Sequence, residues 1–189
     1  MTDVLGAPVK RVEDARFITG KGRYLDDIKL PAMAHLAVLR SPYAHANIRK
    51  IDTSAAKKMP GVLAVIVGAD IPYNPLPMAW PAGGSSGIKN NVSTPRILAT
   101  DSVKWTGEGV AAVVAETQAQ AQDAIEAIVV DWEPLKAVVD AEAATKPGAP
   151  QLHADAPNNV VFDWTVGDKA GTEAALKGAE VLIKQRLVN

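Results

Sequence analysis

The sequence predicts an α/β (α+β) fold, and three observations carry that prediction. Two runs, Val62 to Val67 and Val110 to Ala115, contain no polar residue and read as strands buried on both faces. Each run is joined to a helix pattern and a further strand pattern. A segment over 71–95, dense in Pro and Gly, separates the two halves, because neither helix nor sheet tolerates that many breakers. The middle of the chain therefore reads strand, helix, strand, loop, strand, helix, strand, which is two βαβ-like halves.

The elements follow in order. Residues 1–31 are polar and punctuated by Gly6, Gly20 and Gly22, so they read as an extended N-terminal arm with one short strand near Arg23-Tyr24. Ala34 to Leu39 is short and apolar, a strand. Asn47 to Ile51 is a second strand. Asp52-Thr53-Ser54 offers capping oxygens to a short helix through Lys58, whose lysines suit the negative end of the dipole. Pro60-Gly61 ends it and the apolar run at 62–67 begins. The loop that follows carries Tyr73, Met78 and Trp80, more apolar surface than a solvated linker requires, so it reads as an ordered loop with an aromatic anchor.

Past the loop, Val103 to Trp105 precedes a tight turn at Thr106-Gly107 and the second apolar run. Thr117 and Gln120 have the spacing of a capping box. Ala121, Ala124, Ile125 and Ile128 then fall on one helical stripe. Ile128 to Trp132 is β-branched and closes the unit as a strand, with Glu133-Pro134 stopping it. Ala141 to Thr145 reads as a short helix, 146–158 as a linker, and 159–166 as a strand. Asp168 caps a helix through Lys177, and 179–188 reads as a final strand.

Composition bounds the function. The chain has 189 residues, an apolar share of 48% and a net charge of -1, which supports a real core and gives no field to attract nucleic acid or an anionic membrane. Cysteine is absent, so this chain supplies no disulfide and no thiolate ligand for zinc or an iron–sulfur cluster. The opening residues lack the basic and apolar regions of a secretory signal, no apolar run reaches the length of a membrane span, and a cytoplasmic location is expected.

Candidate chemistry is sparse. Gly20-Lys21-Gly22 and Gly83 to Gly87 both lack the strand and helix that make a glycine-rich segment a phosphate cradle. His35, His45 and His153 are scattered and show no metal-ligand spacing; His35 and His45 read as structural, hydrogen-bonded residues. Asp26-Asp27 sits among Lys21, Arg23 and Lys29 and reads as surface ion pairing. Glu108, at the mouth of a buried strand, reads as a turn carboxylate that satisfies backbone N–H groups.

Two segments belong together. One runs Arg40-Ser41-Pro42-Tyr43-Ala44-His45-Ala46-Asn47-Ile48 and continues through Ile51 to Ala56 and Pro60-Gly61-Val62; the other runs Gly107 to Thr117. Their order and spacing resemble the α/β hammerhead domain of the molybdenum hydroxylase large subunits: aerobic carbon monoxide dehydrogenase, aldehyde oxidase and xanthine dehydrogenase. The opening, Gly6 to Arg11, Thr19 to Tyr24 and Asp26-Asp27, is most similar to the carbon monoxide dehydrogenase-type large chain.

The resemblance implies an N-terminal arm over 1–31, a hammerhead domain with a mixed sheet and packed helices over 32–145, a linker over 146–158, and the truncated start of the molybdopterin-binding region over 159–189. It implies a parent oxidoreductase that hydroxylates carbon monoxide, an aldehyde or an N-heterocycle with water. Electrons would leave through iron–sulfur and flavin (FAD) centres on partner subunits or domains. The family's molybdopterin contacts and its catalytic glutamate lie beyond this stretch, so no catalytic, cofactor-binding or metal residue is expected here and the chain alone is expected to be inactive. Tyr73, Trp80 and Asn91 are the candidates for a loop that edges the parent's substrate funnel. The competing reading is a free-standing interaction or assembly module without redox activity.

Overall fold

The computed structural model describes residues 6–76, 91, 95–163 and 167–187. Its strands are β1 (His35–Arg40), β2 (Ala46–Asp52), β3 (Val62–Val67), β4 (Ser102–Val103), β5 (Gly109–Ala115) and β6 (Val129–Pro134). Its helices are α1 (Asp14–Ile18), α2 (Gln118–Glu126), α3 (Ala141–Ala144) and α4 (Lys169–Lys177).

The strands form two three-stranded sheets, ordered β1-β5-β3 and β4-β2-β6. Pairing is antiparallel: Ala46 faces Val103 and Asn47 faces Ser102. The strand ends agree, since Ser41 N–H donates to Glu108 O at 2.8 Å, Glu116 N–H to Gly61 O at 2.9 Å and Leu135 N–H to His45 O at 2.9 Å. The two halves are therefore not βαβ units. In each, the segment after the first strand leads into a strand of the other sheet, so the parallel pairing that a βαβ unit requires never forms.

The described chain forms two compact units. One comprises Met1–Val38, Asp52–Val65 and Ala112–Val129; the other comprises Leu39–Ile51, Ile66–Ala111 and Val130–Asn189. In the first unit the core is small-residue packing. Ala121 and Ala124 are fully buried and Ile125 and Ile128 nearly so, which is the predicted stripe of α2. Thr117 caps α2 by accepting Gln120 N–H at 3.2 Å, while its own hydroxyl donates to the Gln120 side chain. Gly61, at φ +77°, supplies the left-handed turn into β3, and the Gln120 side-chain end rests in the space a Cβ would take. In the second unit Ala46, Ala99, Val103 and Val110 make the core, with Ile48, Ile51, Val130 and Trp132 packed against it.

Several expectations meet a different outcome. The arm is not wholly extended: α1 forms between the glycines, held by the Arg11–Asp14 and Arg16–Glu13 pairs, and 25–27 makes a 3-10 turn where a strand was expected near Arg23-Tyr24. The lysine-tipped helix shortens to a 3-10 turn, Ala56–Lys58, because Asp52 spends its side chain on a local turn to Ser54 N–H at 3.0 Å. The run at 62–67 is a strand but not a buried one. As the edge of its sheet, β3 leaves Leu63 58% exposed, whereas central β5 is buried almost throughout. No strand appears over the described residues 159–163, where 157–159 instead make a 3-10 turn, or over 179–187, which are exposed and unladdered. The expected linker is partly built into the second unit, with Ala156 buried.

Candidate functional site

The long loop was the one candidate with a functional reading. Its ends are closed by an antiparallel bridge between Pro75 and Arg96, with Leu76 N–H donating to Pro95 O at 2.7 Å and Ile97 N–H to Asn74 O at 2.9 Å. Asn74 is the fastener. Its amide donates to Leu98 O at 2.8 Å and to Gly68 O at 3.4 Å, and its Oδ1 accepts Leu98 N–H at 3.1 Å. Gly68 permits the close approach, since a Cβ there would sit 2.8 Å from the carbonyl oxygens of both Leu98 and Ala99.

Of the three residues predicted to edge a funnel, Tyr73 lies beside this clasp and is 71% exposed. Asn91 is fixed at the other side of the loop, where its backbone N–H donates to Val161 O at 2.7 Å and its side chain to Val160 O at 3.3 Å. Trp80 lies outside the described residues. The loop is thus anchored at both ends to different neighbours, and both anchors are asparagines. Asn74 was missed in the sequence; a lone Asn between prolines carries the usual mark of a turn, and nothing local reveals a partner 24 residues away.

Glu108 is only 6% exposed, and its carboxylate accepts Lys104 N–H at 2.7 Å. That bond and the Ser41 bonds on either side of it (Ser41 N–H to Glu108 O, Gly107 N–H to Ser41 O) hold the tight turn at Gly107, whose φ is +91°. Burial pushes the Glu108 carboxyl above the ordinary carboxylate range, against the opposing pull of the Lys104 N–H. The Asp101 charge adds a smaller upward push, and the bonds Glu108 makes close a turn. Asp101 is held low, first by the Thr100 hydroxyl. His45 Nδ1 lies 3.0 Å from Lys136 O, a structural bond. Among the described residues no three His, Asp or Glu side chains converge on a metal position.

Comparison with known proteins gives the geometry its context. Residues 19–136 match the family model described as aldehyde oxidase and xanthine dehydrogenase, a/b hammerhead domain. The carbon monoxide dehydrogenase large chain of Afipia carboxidovorans is 42% identical over 95% of this chain and 23% of its own length. The xanthine dehydrogenase molybdenum-binding subunit of Escherichia coli O157:H7 is 33% identical over 76% of this chain and 19% of its own. Among solved structures, a reconstituted CO dehydrogenase from Oligotropha carboxidovorans superposes with a TM-score of 0.74 and 39% identity, over 93% of this chain and 22% of that one. The chain spans about a fifth of the length of the relatives it matches.

Proposed function

The chain belongs to the aldehyde oxidase and xanthine dehydrogenase family and carries its a/b hammerhead domain, and from that premise we propose that it serves as the N-terminal framework of a molybdenum-dependent hydroxylase large subunit. The carrying observation is the family match over residues 19–136, set against coverage of only about a fifth of each relative. The parent oxidises carbon monoxide, an aldehyde or an N-heterocycle with water as the oxygen source. Its molybdopterin-type cofactor is placed in protein beyond this stretch, in keeping with a chain that covers about a fifth of each relative's length. Iron–sulfur and FAD centres on partner subunits or domains take the electrons. The cytoplasm is the proposed compartment, since thiolate-held clusters need reduced cysteines. Among the described residues no helix is long and apolar enough to cross a membrane.

The proposed division of the chain is an arm over 1–31, the hammerhead domain over 32–145, a connecting segment over 146–158 and the start of the molybdopterin-binding region over 159–189. The loop that begins at Tyr73 and returns at Asn91 edges the parent's substrate funnel. In support, it is clasped at its base by Asn74 and tied by Asn91, an arrangement that holds a wall in place.

A chimaera tests both parts. The corresponding segment of the Afipia carboxidovorans large chain is replaced by residues 19–136 of this chain, and the assembled enzyme is assayed. Framework function predicts molybdenum content and turnover close to those of the unaltered enzyme. Shortening the loop between Tyr73 and Asn91 in that chimaera is expected to change KM or substrate range with molybdenum retained. A chimaera that fails to assemble contradicts the framework role, and unchanged kinetics after shortening contradict the funnel role.

A further inference from the structure

The segment after α3 is a turn held by side chains. Asn159 donates to Ala144 O and Pro150 O, both at 2.9 Å, and accepts Leu152 N–H at 2.9 Å. Ala156 N–H donates to His153 O at 3.1 Å, and the Gln151 amide reaches both His153 O and Ala156 O. Asn158 and Asn159 stand in the left-handed region at φ 56° and 57°, so the turn carries backbone strain that these bonds must offset.

His153 sits inside this turn. Its Nδ1 is shielded from solvent and meets no hydrogen-bonding group among the described residues. The charged and titratable groups that act on the ring are Lys104, His45 and Asp155. Lys104 and His45 oppose a positive ring; Asp155 favours it.

We propose that Pro150–Asn159 is a proton-operated latch, docked while the His153 ring is neutral and released when the ring takes up a proton. A neutral imidazole needs only one donor, so Nδ1 can remain a bare acceptor at the modest cost of burying a neutral nitrogen. An imidazolium has two N–H donors. The one at Nδ1 would then be buried with no acceptor among the described residues and would be opposed by the Lys104 charge, and a strained turn held by a handful of bonds is the part able to yield. Burial is the leading cause that holds the ring below its ordinary range in the docked state, followed by Lys104. The released ring titrates at about 6.5. Docking is therefore complete above that pH, weakens as pH falls through it, and levels off once the docked ring is also protonated.

The test is amide hydrogen exchange on the 189-residue chain between about pH 8 and pH 5, corrected for intrinsic exchange, with roughly tenfold loss expected per pKa unit separating docked and released rings. Protection of the Leu152 and Ala156 amides should fall below about pH 6.5 while that of Val113 in β5 holds. His153→Phe removes the titrating group and should flatten the response. Two further variants leave His153 in place and decide the matter if that one does not dock. Lys104→Met should shrink the fall, because a protonated docked ring is then better tolerated, and Asp155→Asn should enlarge it. A flat wild-type profile, an undiminished fall in His153→Phe, or Lys104→Met and Asp155→Asn moving the response in the same direction would overturn the latch.

Discussion

At the scale of single residues, Glu108 shows how a buried acid can be structural. It was legible in the sequence because a carboxylate after a turn glycine, at the mouth of an apolar strand, has backbone N–H groups to satisfy. The structure supplies that partner, Lys104 N–H. Truncating Glu108 to Ala orphans the amide and is expected to cost about 1–3 kcal/mol, read as a lowered melting temperature. Glu108→Gln keeps an acceptor oxygen and should cost less. The pH response follows from the sign of the shift. The folded carboxyl is held above its unfolded value, so the fold retains a proton that the unfolded chain releases first. Stability through this group is full below the unfolded value, falls as pH rises through the folded one, and is constant above it. Thermal melts across that window should show the slope in the wild type and lose it in Glu108→Gln. Asn74 is the opposite case. Its role depends on Leu98 and Gly68 arriving beside it, a meeting that tertiary structure creates and local sequence does not encode.

At the scale of elements, the apolar runs at 62–67 and 110–115 look alike in sequence and behave differently in the fold. Both are strands, since β-branched apolar runs of that length form strands. Which of them is buried depends on sheet order, and position in the β1-β5-β3 sheet makes β5 central and β3 an edge. Periodicity cannot report an edge, which is why burial was read correctly for one run only. The energetic consequence is measurable. Val113 is fully buried, so Val113→Ala should cost about 1–3 kcal/mol. Leu63 is mostly exposed, so Leu63→Ser should stay within about 0.5 kcal/mol. Denaturant midpoints of the two variants check the contrast, and equal losses would contradict the edge assignment. Helix α2 was the most legible element, because its cap, stripe and small residues all point one way. The strands expected at 159–166 and 179–188 were the least. Alternating or apolar residues mark strand propensity, but a strand needs a ladder of pairs: the described residues 159–163 make only a bridge at Phe162 and the Asn91 bond to Val161 O, and 179–187 form no strand.

At the scale of the whole molecule, the two halves were read as βαβ units because strand, helix and strand follow one another along the chain. The same order serves two antiparallel sheets when the connection passes from one sheet to the other. Local pattern fixes element type, whereas pairing is set by contacts distant in sequence, so the fold class was legible and the topology was not. The described residues hold turns, clasp a loop and fill cores, and they gather no set of metal ligands. The proposed framework role puts the chemistry in the roughly four-fifths of the relatives' length that this chain does not span. Molybdenum analysis of the purified 189-residue chain, produced in a host that makes the molybdenum cofactor and verified as folded by a cooperative melt, addresses that claim most directly. Molybdenum at background level is expected; about one molybdenum per folded chain would overturn the framework role.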